Sequence, residues 1–171
     1  RHTGSAIVSG NPTVEEGLPY PMRAIRTEDF LYIHNFEPDR WPLGDPGGLD
    51  DLTAEAPPAE RLIADTGYVY PDIDKGPTKS WMIFNRAEPE VEPLFKLAFD
   101  KRPQEELYDL RSDPHYMTNL AADPTHEQTR EKLHDQLMKI LKEQNDPRII
   151  ESPPRFELPP YAGPIPEAWH K

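Results

Sequence analysis

Six histidines, at positions 2, 34, 115, 126, 134 and 170, give this chain its widest chemical reach. Imidazole ligates transition metals, moves protons near neutral pH and donates to anionic oxygens. Two imidazoles that share a metal from one element usually stand as H-x-H or H-x-x-x-H. No pair here has either spacing. His126 and His134 fall on one predicted helix, but eight residues apart they are two turns from each other. Taken singly, each histidine reads as a surface or helix-face side chain. Asp72 and Asp74 place two carboxylates on one loop, in Tyr70-Pro-Asp-Ile-Asp-Lys-Gly-Pro77. Calcium takes about six to eight oxygens, more than this segment offers, and Asp50-Asp51 is a weaker case of the same kind. No G-x-S-x-G elbow, P-loop or dinucleotide fingerprint occurs. The absence of cysteine excludes disulfides, thiolate metal sites and cysteine nucleophiles without deciding a compartment. Spacing alone therefore predicts no metal ligand and no catalytic residue.

Charge narrows the partners. Nineteen Lys and Arg against 31 Asp and Glu leave a formal charge of −12. Non-specific nucleic-acid and anionic-membrane binding both need a basic surface, so neither is expected. A polyanionic sugar would also be repelled, over a Debye length of about 8 Å at physiological salt. Any sulfate contact must then be local, made by a few cations. No apolar run approaches the roughly 20 residues that span a bilayer.

The elements that would position these side chains can be read from periodicity. Twenty-two prolines in 171 residues favour a small core wrapped by long loops, because proline fixes φ and removes an amide donor. Tyr20 to Thr27 and Phe30 to Phe36 predict a hairpin turned at Glu28-Asp29. Phe30, Tyr32 and Phe36 share one face of the second strand, and Leu31 and Ile33 the other, so bulk on both faces predicts a central strand. Residues 37–76 read as a long loop, functional or inserted, with a short helix around Ala59 to Ile63. A helix from Thr78 to Arg86 should start at Pro77, and another after Pro93 should use Leu94, Leu97 and Ala98. Glu106 to Leu110 predicts a strand before a turn at Ser112-Asp113-Pro114. The longest helix follows, capped by Asp123, with Leu133, Leu137, Ile140 and Leu141 as its apolar stripe and Asn145-Asp146-Pro147 as its stop. From residue 146 to 171 the chain is again proline-dense, a tail with interspersed aromatics. The fold class expected is α+β: an antiparallel sheet of three or four strands packed by one long C-terminal helix, with long Pro-rich loops.

The run Glu106-Leu-Tyr-Asp-Leu-Arg-Ser-Asp-Pro-His-Tyr-Met-Thr-Asn-Leu-Ala121 resembles a segment near the C-terminus of many sulfatases, E-L-Y-D-L-x-x-D-P-x-E-x-x-N-L-A followed by a long helix. Tyr116 departs from that pattern, standing where the family usually has Glu. Tyr20-Pro-Met-Arg-Ala-Ile-Arg-Thr27 with Phe30-Leu-Tyr-Ile-His-Asn-Phe36 is similar to the hairpin of N-sulfoglucosamine sulfohydrolase (sulfamidase)-like enzymes. Asp72-Ile-Asp-Lys-Gly-Pro-Thr-Lys-Ser80 looks like bacterial members of that group. The likeness covers roughly residues 1–150.

The resemblance implies a parent enzyme that hydrolyses sulfate esters or sulfamates from a sulfated sugar such as N-sulfoglucosamine. Such enzymes use formylglycine, made within C/S-x-P-x-R, and a calcium ion. Neither belongs to this chain: Ser112-Asp-Pro114-His-Tyr116 ends in Tyr, Ser152-Pro-Pro-Arg155 has the wrong register, and the Asp-Asp and Asp-Asn calcium ligands are absent. By this reading residues 1–19 connect to a missing N-terminal catalytic domain, residues 20–145 form the sulfatase C-terminal domain, and the chain alone is inactive. The start at Arg1, without Met or signal peptide, is read the same way. In the sulfamidase-like group a histidine a little upstream of the Tyr-Pro-x-Arg hairpin lies close to the substrate pocket. The corresponding stretch here is Arg1-His2-Thr3, which implies His2 as a sugar or sulfate contact with Arg1 assisting. The partners implied are the catalytic domain and a sulfated carbohydrate, and the location implied is secreted or periplasmic. An arylsulfatase-type parent is a second enzyme reading, and a non-catalytic binding or scaffold module a third.

Overall fold

A computed structural model describes residues 20–65 and 68–157, which divide into two compact units. Among the described residues, one unit comprises Pro21–Phe36 with residues 104–157, and the other is built mainly from Glu37–Pro103. The connector 1–19 and the tail beyond Glu157 lie outside the described residues.

The first unit is an α+β sheet unit. Strand β1 (Met22–Arg26) pairs antiparallel with β2 (Phe30–Asn35), and β2 pairs antiparallel with β3 (Glu105–Asp109). The order β1-β2-β3 makes β2 central, as its two bulky faces predict. Thr27 closes the hairpin: its N–H donates to Phe30 O at 2.9 Å, and its hydroxyl accepts from Phe30 N at 3.0 Å. On β3, Leu107 turns away from its ladder partners to bond the segment that follows. Its N–H donates to Asn119 Oδ1 at 2.9 Å, and its carbonyl accepts from Leu120 N at 2.8 Å. Asn119 Nδ2 donates back to Glu105 O at 3.1 Å. The side chain of Asn119 thereby satisfies backbone groups that an edge strand otherwise leaves open. Tyr116 sits at φ +56° in the intervening turn, accepts from Arg26 Nη1 at 2.7 Å and meets the Tyr108 ring edge-on.

Asp123 accepts from Thr125 N at 2.8 Å and starts a 3-10 turn, Pro124–His126, that runs into α4 (Glu127–Glu143). Leu133, Leu137 and Leu141 recur every fourth residue, so they stack on one helix face. They bury against Tyr32 and Leu107, forming the core of this unit, with Ile25, Phe30 and Met138 packed around it. Ile140, one step off that line, is only half-buried. Asn145 at φ +53° ends the helix. Asp146 then caps α5 (Pro147–Ile150), accepting from Arg148 N at 2.9 Å. Its carboxylate also takes two bonds from Arg23 of β1, Nε to Oδ2 at 2.7 Å and Nη2 to Oδ1 at 3.0 Å. Where the tail was read to begin, residues 146–157 thus continue as α5 and a second 3-10 turn, Arg155–Glu157. Ile149 joins the core, and Arg148 pairs with Glu157 at 2.5 Å. Asn35 N–H donates to Gln104 O at 2.8 Å, extending the β2–β3 pairing by one bond.

The second unit holds α1 (Ala59–Ala64), α2 (Pro77–Phe84) and α3 (Glu92–Phe99). Its core is Leu49, Leu62, Val69, Tyr70, Ile83, Phe95 and Phe99. The three helices match their predicted places, but α3 is rotated from the expected face. Leu94 and Leu97 are exposed, while Phe95 and Phe99 are buried and stacked, ring centroids 4.6 Å apart. The physical reason is area: two phenyl rings bury more apolar surface than two leucines, and Tyr70 meets both edge-on. The Pro- and Gly-rich loop 37–58 is folded onto these helices by turns. Tyr70 N donates to Asp45 O at 2.8 Å, and Asp72 N to Leu43 O at 3.1 Å. The buried Lys79 ammonium donates to Tyr70 O and Ile73 O at 3.0 and 2.9 Å, tying the loop to α2. No described helix is long and apolar enough to cross a membrane.

Candidate functional site

The sheet unit gathers two histidines that lie 100 residues apart in the chain, His34 and His134. Strand alternation puts His34 on the same face of β2 as Tyr32, the face that α4 covers. Antiparallel register sets Glu105, the first residue of β3, opposite His34. On α4, His134 follows the buried Leu133 and stands beside the apolar stripe, with Arg130 one turn earlier. The imidazoles meet edge to face, centroids 5.4 Å apart. Phe36 flanks His34 with its ring at 4.7 Å.

The Tyr32 hydroxyl is the hub of this cluster. It donates to Glu105 Oε1 at 2.6 Å and lies 2.9 Å from His134 Nδ1 and 3.4 Å from His34 Nδ1. A phenol carries one proton. With that proton given to Glu105, an imidazole bonds the same oxygen only as its Nδ1–H tautomer. Burial, helped by the hydrogen bond and the negative charge of Glu105, pushes the Tyr32 phenol far above its ordinary value and keeps it protonated. His34 titrates below the ordinary histidine value, first because burial penalises the charged ring and second because His134 is close. His34 is therefore a neutral imidazole at physiological pH, the form that ligates metals.

Glu105 lies 3.7 Å from His134 Nδ1 and 3.8 Å from Arg130 Nε. An open cleft of about 380 Å³ leads to these groups, lined by His34, Gln104, Glu105, Arg130, Glu131, His134 and Asp135. Three carboxylates against one guanidinium leave this lining with a formal charge of −2, before the histidines. One ring nitrogen of each histidine and one carboxylate oxygen of Glu105 lie within 4.8 Å of one another. Among the described residues this is the one group of three or more with metal-ligating character. Chemically it offers two imidazoles and a carboxylate to a cation, or a proton relay running from solvent to a buried phenol.

Sequence spacing missed this cluster because His34, Glu105 and His134 come from three different elements. A usable signal was present: His34 interrupts an aromatic face of a strand read as central, and His134 stands next to a core leucine. The carboxylate pairs singled out by spacing lie apart from this cluster. Asp51 Oδ1 accepts from both Thr53 N and Thr53 Oγ1, at 2.8 and 2.6 Å, and holds a turn. Neither Asp72 nor Asp74 belongs to a metal-capable group among the described residues. The implied substrate contacts, His2 and Arg1, lie outside the described residues. His126 pairs with Asp123 at 3.3 Å, and His115 is exposed.

No protein-family model matches this chain, and no curated protein matches it.

Proposed function

We propose that this chain is the C-terminal portion of a sulfatase, nearest the sulfamidase-like group, whose complete form hydrolyses sulfate from a sulfated sugar such as N-sulfoglucosamine. The observation that carries this reading is the fit between motif and fold. Glu106-Leu-Tyr-Asp-Leu110 lies on β3 and its end, Asp113-Pro114 turns the chain, and Asn119-Leu120 fastens the return to Leu107 before α4 begins. Leu107, Asp113, Asn119 and Leu120 each hold backbone in place, as expected of a segment that supports a distant active site. Tyr116, the departure from the pattern, keeps its turn anchored through Arg26 and Tyr108.

A second feature supports a supporting role. The helices of the second unit expose Ile63, Trp81, Phe84, Leu94 and Leu97, large apolar side chains that a docked domain would cover. In this reading the chain buttresses the catalytic domain, lines one wall of its pocket and works outside the cytoplasm. Calcium and formylglycine belong to the catalytic domain, not to these residues. The test is to read the coding frame upstream of Arg1 and assay the complete polypeptide. An in-frame C/S-x-P-x-R with an early Asp-Asp pair, and sulfate release from N-sulfoglucosamine in preference to an aryl sulfate, are the expected results. A frame without those motifs, or a complete protein inert on both substrates, would turn the reading into a binding module.

A further inference from the structure

We infer that His34, His134 and Glu105 form a binding site for a divalent transition-metal ion of the zinc type, one ring nitrogen of each imidazole and one carboxylate oxygen being the ligands. This site stands apart from the sulfatase reading, which places its own metal in another domain and on oxygen ligands.

Four observations converge on it. The donor set, two imidazoles and one carboxylate, is a zinc-type set that leaves a coordination position open. Calcium and magnesium are disfavoured, because both prefer oxygen donors. The geometry is near what is needed. Zinc bonds of about 2.0–2.2 Å put tetrahedral donors about 3.3 Å apart. The three donors lie within 4.8 Å of one another, so closure asks for a contraction of about 1.5 Å at most. His134 and Glu105 are each about one-third exposed and can supply it by side-chain rotation. The local charge suits a cation, since the lining carries a formal −2 and the incoming ion +2. Glu131 and Asp135 border the same cleft as further oxygen donors, with water as the alternative.

The surroundings also resemble a supported ligand shell. Tyr32 is fully buried and donates at 2.6 Å to Glu105 Oε1, so a fixed hydroxyl orients the carboxylate. His34 is buried against Phe36, with ring centroids 4.7 Å apart, so its ring is held in place before a metal arrives. Arg130 opposes the ion electrostatically, its guanidinium lying 3.8 Å from Glu105 and 3.9 Å from Glu131.

The experiment is a titration of the untagged, chelator-treated full chain with zinc by calorimetry, and with cobalt(II) by absorption. Expected are one bound equivalent at the micromolar level or tighter and a cobalt spectrum of low-coordinate nitrogen and oxygen ligation. His134→Gln, at a partly exposed helix position, should weaken binding by at least about tenfold with an unchanged circular dichroism spectrum. His34→Gln should do the same, while His126→Gln and His115→Gln should leave binding intact. No binding to the native chain, or binding that His134→Gln does not alter, would overturn the inference.

Discussion

Replacing Asp146 by Ala tests a buried ion pair of the sheet unit. Its carboxylate receives Arg23 Nε and Nη2 at 2.7 and 3.0 Å and the Arg148 amide at 2.9 Å. The two side chains are 9% and 3% exposed, so water cannot take over the lost bonds. Removing one partner of a buried pair costs about 3–5 kcal/mol, because the other charge remains buried alone. Loss of a helix cap adds about 1 kcal/mol, partly overlapping with the first term. A net cost near ~4 kcal/mol raises the open population about a thousandfold. Tryptophan fluorescence is the wrong probe, since of the three tryptophans Trp41 and Trp81 belong to the helical unit and Trp169 lies outside the described residues. Amide hydrogen exchange in β1, β2 and α4 is the suitable one, because it reads each cooperative unit separately. Exchange there should accelerate by about three decades in Asp146→Ala and stay unchanged in α2 and α3. The paired change Arg23→Met with Asp146→Leu should return to within about 1 kcal/mol of the native chain, as apolar replacements of buried pairs do. A single-site loss below about 1 kcal/mol, or a double variant as weak as the single one, would refute the reasoning.

Leu137→Ala removes a side chain that is 3% exposed from the centre of the α4 stripe, and should cost about 2–5 kcal/mol in the same exchange measurement. Gly47→Ala should destabilise the helical unit by about 1–3 kcal/mol, read by Trp41 and Trp81 fluorescence in urea. Gly47 sits at φ +61°, and an added Cβ would meet Val69 Cγ1 at 2.7 Å. Asp123 titrates below its ordinary value of 3.8, held first by the Thr125 hydroxyl and then by the Thr125 amide. Its folded value being the lower one, its contribution is complete above pH 3.8 and is lost as pH falls through the folded value. Exchange at the start of α4 should therefore rise selectively in that acid window, and Asp123→Asn should abolish the selectivity.

Much of the architecture was legible because local signals agreed with one another. Bulk on both faces of Phe30 to Phe36 marked the middle strand, and Asp123-Pro124 with the leucine stripe marked the long helix. Helix α3 was misread because Leu94, Leu97 and Phe95, Phe99 each satisfy helical spacing. The larger area of the two phenyl rings, packed against Tyr70, decides between those faces. The candidate site was opaque for a related reason. Metal motifs are recognised when one element carries two ligands, whereas His34, Glu105 and His134 come from a strand, its neighbour and a helix. Register and helix rotation, both tertiary quantities, bring them together.

The single hydrogen bond from Asn35 N to Gln104 O has a consequence for how this chain can be cut and rejoined. The 67 residues from 37 to 103 leave and re-enter the sheet unit at neighbouring backbone positions (103 − 37 + 1). A hairpin-sized linker spans that gap, so residues 37–103, the larger part of the helical unit, have the topology of a removable cassette. Shortening a 67-residue excursion to about four residues halves its length about four times. At about 0.6 kcal/mol per doubling, that lowers the closure cost by about 2.4 kcal/mol. A minimal sheet unit joined this way would fold faster on β2–β3 pairing and carry the histidine cluster intact.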